Sequence, residues 1–361
     1  VVPMPTVVWD GGGDGISWSD VDNWSDDQLP GPDDGVLLPD LGEKYTVELN
    51  DPTTIDSLTL KRSADLKILS GLLTCSGEVN VTAGSHLVLS GGDLQTDGRF
   101  MVLGYGYLTI GGTFTQNGTM TLDLHARPSV GIDGVLQVNG AVNMETQNCT
   151  LIGGTLQLDN TLSGSGTIFW HSGTLTGSGT IDLKDPGRFS IVTNGSATLG
   201  GSLTNNGTIK WAGWNDLVWD NATLTNLGEF IIDGNNSVNM TAVGDTNLFI
   251  NHGLVRSYYS SRYLGIPFIN RGGVVDAWYG GTIGFTSSMT NEEGATITGL
   301  GTLNVSSADF ANDGLTSLNG ILTITGDCPM SGTSVLNLEI GGIDPGNLFP
   351  EHDQLNISGA A

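Results

Sequence analysis

The chain has 361 residues, 55 of them glycine, with 38% hydrophobic and only 14% charged residues. That hydrophobic content is too high for a disordered chain, and helix-building runs of Ala, Glu, Lys and Leu are missing. Twelve basic against 38 acidic residues leave a formal charge of −26, which argues against nucleic acid as a partner, because phosphate binding needs a basic surface, and suits a chain that stays soluble in salt or binds divalent cations.

Residues 1–54 stand apart. They carry Trp9, Trp18 and Trp24, three of the eight tryptophans, and a dense set of aspartates among glycines. Asp10, Asp14, Asp20 and Asp22 are candidate calcium ligands, since calcium takes six to eight oxygens on a flexible loop. No EF-hand spacing accompanies them, and turn formation with tryptophans closing the end of a core is the competing account. From about residue 55 the sequence becomes monotonous. Segments such as Ser57-Leu58-Thr59-Leu60, His86-Leu87-Val88-Leu89 and Tyr107-Leu108-Thr109-Ile110 alternate apolar and polar residues and read as short strands. Gly-Gly, Asn-Gly and Ser-Gly pairs punctuate them as turns.

In the second half an Asn-x-Gly step recurs at Asn205, Asn226, Asn251 and Asn270, loosens to Asn-x-x-Gly at Asn291, and returns at Asn312. The spacings are 21, 25, 19, 21 and 21 residues. A fixed short period means that no unit buries its own apolar face, so neighbours must stack. Propeller blades repeat at longer periods, and sandwiches do not repeat internally. The expected fold is therefore all-β: a right-handed parallel β-helix of about 21 residues per coil. Residues 1–54 are the expected N-terminal cap, 55–330 the coils and 331–361 the closing strands. The chain stops inside what reads as a strand, so a continuation beyond residue 361 is expected. The six asparagines are expected to align as a structural ladder, with the following glycine supplying a left-handed turn.

An aromatic and basic patch follows the asparagine anchors: Lys210, Trp211, Trp214, Arg256, Tyr258, Tyr259, Arg262, Trp278 and Tyr279. If the coils stack in register, these side chains form an outward stripe, and aromatic rings with Lys and Arg suit glycan contact. The competing account is that the rings fill an irregular part of the core. An enzyme of the polysaccharide lyase or glycoside hydrolase type is the alternative, with Asp233, Asp276, Lys210, Arg256 and Tyr258 as the groups that chemistry would use. None of them forms a catalytic motif, and no catalytic residue is assigned. The five histidines are scattered. Cys75, Cys149 and Cys328 are far apart, odd in number, and read as small buried residues. No run of 18 apolar residues spans a membrane. Eleven Asn-x-Ser/Thr sequons occur, with Asn80, Asn117, Asn194, Asn206 and Asn221 as glycosylation candidates.

The opening Trp9-Asp10-Gly11-Gly12, Trp18, Asn23-Trp24 and Pro30-Gly31-Pro32-Asp33, and the far end Leu336-Asn337-Leu338-Glu339-Ile340-Gly341-Gly342, Pro345-Gly346 and Asp353-Gln354-Leu355-Asn356-Ile357-Ser358-Gly359, resemble large secreted bacterial surface β-helix proteins, both autotransporter passengers and planctomycete-type repeat adhesins. The resemblance implies export, adhesion or wall association, and supplies no catalytic residues. Together with the repeats it sets the expected role: an extracellular, cell-surface structural or adhesive protein presenting a rigid multivalent surface. Its partners would be glycans or other surface proteins, or further copies of itself in a fibre or surface layer.

Overall fold

A computed structural model describes residues 6–338 and 353–360, apart from 124, 132–133, 147–148, 235–237 and 319. Part of the far-end resemblance, including Glu339 to Gly346, therefore lies outside the described residues, as do the sequon asparagines Asn148 and Asn235. The strands stack in parallel into a β-solenoid of about 14 turns, roughly 21 residues apart. The described helix is a single 3-10 turn, Val21–Asn23. The chain divides into two compact units, residues 1–188 and 189–361.

Each coil is a few short strands, and parallel pairing carries each strand onto its counterpart one coil further on. In the first unit Leu72–Cys75 pairs with Asp93–Thr96, which pairs with Thr113–Gln116. The next strand of the coil does the same, with Val79 opposite Phe100 and Phe100 opposite Met120. Burial alternates residue by residue along these strands, as in Asp93–Thr96 and Thr113–Gln116. Period-two alternation sends every second side chain inward, so the Leu, Val, Ile, Phe and Met of successive coils form stacked layers inside each unit.

At the start of the first unit, Thr6–Val8 pairs with Gly35–Leu38. Gly35–Leu38 and Tyr45–Leu49 in turn join the parallel ladder, through Ser57–Leu60 and Ala64–Ile68. Trp9, Trp18 and Trp24 are buried. Trp24 meets Trp9 and Trp18 edge-on at ring-centroid distances of 5.0 and 4.8 Å. Its indole N–H donates to the Trp18 carbonyl at 2.9 Å.

The six asparagines of the second unit stand in one buried column. The Nδ2 of each donates to the Oδ1 of the next: Asn205 to Asn226 and Asn226 to Asn251 at 2.7 Å, then Asn251 to Asn270, Asn270 to Asn291 and Asn291 to Asn312 at 2.8 Å. The second amide proton reaches backbone carbonyls, for example Glu229 and Leu254. Buried polar groups cost free energy unless paired, and this column pairs both ends of nearly every amide. The glycine that follows supplies the expected left-handed turn after Asn270 and Asn291, at Gly272 and Gly294 with φ 70° and 83°, but not at the other steps. Neither the asparagines nor Gly207, Gly228 and Gly253 have positive φ. A β-carbon on Gly228 would instead lie 2.1 Å from the carbonyl oxygen of Gly207, and one on Gly253 2.1 Å from that of Gly228. At Gly228 and Gly253 the backbone rides directly over the carbonyl of the coil before, leaving no room for a side chain.

Candidate functional site

Four strands of the second unit, Thr208–Trp211, Glu229–Asp233, Leu254–Tyr258 and Val274–Trp278, lie in parallel register. Their alternation sorts the candidate residues. One outward column runs Lys210, Ile231, Arg256, Asp276, and the next runs through Asp233, Tyr258 and Trp278. The column between them, Trp211, Ile232, Ser257, Ala277, points inward and is buried.

Two residues expected on the outward stripe are therefore inside. Trp211 is buried because it is the neighbour of an outward residue, Lys210. Arg262 is also fully buried. Its guanidinium lies 4.4 Å from the centre of the Trp211 ring, and Nη2 donates to the Gly213 carbonyl at 2.7 Å. Its Nε and Nη1 have no hydrogen-bond partner. Burial pushes its pKa down to about 10, with Asp233 pulling the other way. Neither side chain is available to a ligand.

The remaining aromatic residues gather at one corner of two successive coils. Tyr258 and Trp278 stand opposite each other, with Tyr259 and Tyr279 following in the turns. The Tyr259 and Tyr279 rings meet at 5.0 Å and 67°, and Trp278 lies 6.4 Å from Tyr279. Tyr259 is 64% exposed and Tyr279 36%. Both hold left-handed backbone conformations, φ 47° and 51°, which cost a bulky residue on the order of 1 kcal/mol or more. Loss of solvation, followed by the neighbouring Tyr279, raises the Tyr259 hydroxyl above its ordinary pKa. Trp214 is 70% exposed but makes none of these ring contacts among the described residues.

The cations beneath the ledge are already engaged. Arg256 Nε donates to Asp276 Oδ2 at 2.8 Å and Nη1 to the Tyr258 hydroxyl at 3.3 Å. Its guanidinium sits 5.9 and 5.5 Å from the Tyr258 and Trp278 ring centres. Burial raises the Asp276 carboxyl above the usual carboxylate range against the pull of Arg256. Lys210 Nζ lies 2.6 Å from Asp233 Oδ2. Burial pushes the Asp233 carboxyl up, and the hydrogen bond and charge of Lys210 more than reverse it, leaving it below its ordinary value. The cluster is thus an exposed ring surface with its nearby positive charges neutralised.

The aspartates of the opening segment do not converge. Asp10 Oδ1 accepts from the Gly12 N–H at 3.0 Å. Asp14 accepts from Ile16 N, Ser17 N, Ser17 Oγ and Asn23 Nδ2. Asp20 accepts from the backbone N–H groups of Asp14 and Asp22. Among the described residues no group of three or more His, Cys, Asp or Glu is placed to hold a metal ion. Of the sequon asparagines, Asn117, Asn194, Asn206 and Asn221 are exposed and Asn80 is half-buried, with its amide on Glu78 at 2.7 Å. All three cysteines are buried and free.

Asp233 and Asp276, weighed as catalytic groups, are the ion-pair partners that sequence reasoning did not assign. The signal was present: Arg256 and Asp276 lie 20 residues apart, one coil. Comparison with protein-family models, curated proteins and solved structures finds no match to this chain.

Proposed function

We propose that this chain is a non-enzymatic β-solenoid that contacts carbohydrate through the ledge of Tyr258, Tyr259, Trp278 and Tyr279. The observation that carries this reading is the left-handed backbone at both exposed tyrosines. A glycine would relieve that strain, as Gly234 does at the same turn one coil earlier, with φ 113°. Strain kept at an exposed position is the kind that accompanies binding surfaces. Flat rings offer sugar C–H faces a large contact at low entropic cost, since each ring has only two side-chain torsions.

Pairing of Lys210 with Asp233 and of Arg256 with Asp276 favours a binding role over elimination chemistry, because neither cation is left to neutralise an acidic substrate. The proposal includes the cell-surface setting expected from the resemblance and the sequons. Retention on a panel of insoluble polysaccharides tests it. Wild type should be retained on at least one, and Tyr259→Ala and Tyr279→Ala should each weaken retention several-fold with an unchanged far-UV spectrum. Equal retention of wild type and both variants on every polysaccharide would overturn the ledge as the contact.

A further inference from the structure

Around the corner from the ledge, four coils contribute one outward column: Asn239, Tyr263, Gly284 and Asn304. Gly284 leaves a gap in it, and the Tyr263 ring fills the gap. A β-carbon on Gly284 would lie 2.1 Å from Tyr263 Cδ1, so the ring lies flat on the sheet surface. Its hydroxyl accepts from Asn304 Nδ2 at 3.4 Å, which fixes the ring along the stacking direction. Beside it Thr241, Gly265 and Thr286 complete an open groove of about 650 Å³ with Asn239, Met240 and Ala242.

Nothing lining this groove carries a charge. It presents an aromatic ring, two threonines and an asparagine amide, with backbone exposed at Gly265. A charged ligand would lose hydration there without gaining a counter-ion, and the net charge of −26 repels a polyanion. Small-ligand sites combine an apolar surface with a few placed polar groups that set orientation, and this open groove offers both. A pyranose ring matches: its C–H face lies on Tyr263 and its equatorial hydroxyls reach Thr241, Thr286 and Asn239. We propose that this groove is a second binding site, specific for a neutral pyranose unit of an oligosaccharide. It deepens the carbohydrate reading of the ledge and rests on that reading only for the ligand class, because its residues are separate.

Isothermal titration with soluble neutral tetrasaccharides of glucose and of mannose, and a tetragalacturonate as the acidic control, tests the proposal. The protein is made in a host without N-glycosylation, since Asn239 begins a sequon. At least one neutral tetrasaccharide should bind at one site and the acidic control should not. Tyr263→Ala should weaken binding about tenfold, while Tyr263→Phe stays within about threefold, because the ring face and not the hydroxyl carries the contact. Thr241→Lys, a surface change that fills the groove without touching the core, should abolish binding. Tyr259→Ala should leave it unchanged. Failure of every neutral sugar to bind, or equal binding by Tyr263→Ala and Thr241→Lys, overturns the groove. Neutral binding that follows Tyr259 and ignores Tyr263 also overturns it while leaving the ledge intact. Dependence on Tyr263 together with polysaccharide retention indifferent to Tyr259 and Tyr279 keeps the groove and rejects the ledge.

Discussion

Replacing Asn251 by Leu keeps its volume and removes the centre of the asparagine ladder. In the native column Asn251 accepts from Asn226 Nδ2 at 2.7 Å and donates to Asn270 Oδ1 at 2.8 Å, with further contacts to the Gly253 and Val274 carbonyls at 3.1 and 3.2 Å. After the substitution Asn270 Oδ1 is buried with no donor, a penalty of about 1–3 kcal/mol. Asn226 Nδ2 keeps the Gly228 and Leu254 carbonyls, both at 3.2 Å, and so loses only a net bond, about 1 kcal/mol. The expected total is about 2–4 kcal/mol, a fall in Tm of about 3–5 °C for a chain of 361 residues. Guanidinium unfolding followed by near-UV circular dichroism and tryptophan fluorescence measures it. Leu227→Ser, at the exposed position between Asn226 and Gly228, serves as the control and should change stability by less than about 0.5 kcal/mol. Adding Asn270→Leu removes the orphaned acceptor, so the double variant should cost less than the sum of the singles by about 1 kcal/mol or more. Asn251→Leu at wild-type stability, or strictly additive costs, would refute the ladder as a stabilising element.

Three further outcomes follow from the geometry. Gly228→Ala places a β-carbon 2.1 Å from the Gly207 carbonyl oxygen, whereas Gly272, with φ 70°, has open space around it; thermal melts should show a loss of about 3 kcal/mol or more for the first and about 1 kcal/mol for Gly272→Ala, and equal effects would reject the close-approach account. Arg262→Met removes a buried cation with two unpartnered donors, so stability should stay level or rise by about 1–3 kcal/mol; a clear loss in the same melts would mean that its contacts with Trp211 and Gly213 outweigh the burial of charge. Asp14 is held below its ordinary pKa of 3.8 by the Ser17 hydroxyl first, then by the Ser17 and Ile16 N–H groups and the Asn23 amide. A depressed carboxyl contributes stability that is present above its unfolded pKa and lost as pH falls through the folded one. Asp14→Ala should therefore flatten the acid limb below about pH 4 in a stability-versus-pH series; superimposable limbs would exclude a role for Asp14.

Much of this architecture was legible in the residue order. Alternation in segments such as His86–Leu89 and Tyr107–Ile110 set strands with one buried face, and the recurrence of asparagine set the coil length. The glycine column of the first unit was equally readable. Gly77, Gly98, Gly118 and Gly140 each follow a strand end by two residues, and a β-carbon on Gly98 would sit 2.0 Å from the Gly77 carbonyl oxygen. Parity alone would also have put Trp211 inside once Lys210 was outside, although the expected stripe carried both.

Lateral neighbours were another matter. Arg256 is five residues past Asn251, yet its partner Asp276 is six past Asn270, because the Gly272-Gly273 pair adds a residue to that coil. One inserted residue moves every later side chain to a new offset, so counting from the asparagines misaligned the stripe. The flat seat of Tyr263 on Gly284 depends on the same integer count across two coils. Which face a side chain takes is settled by its covalent neighbours, through the pleat of a single strand. Which side chain lies above it is settled by how many residues each turn consumes, and only the folded stack performs that count.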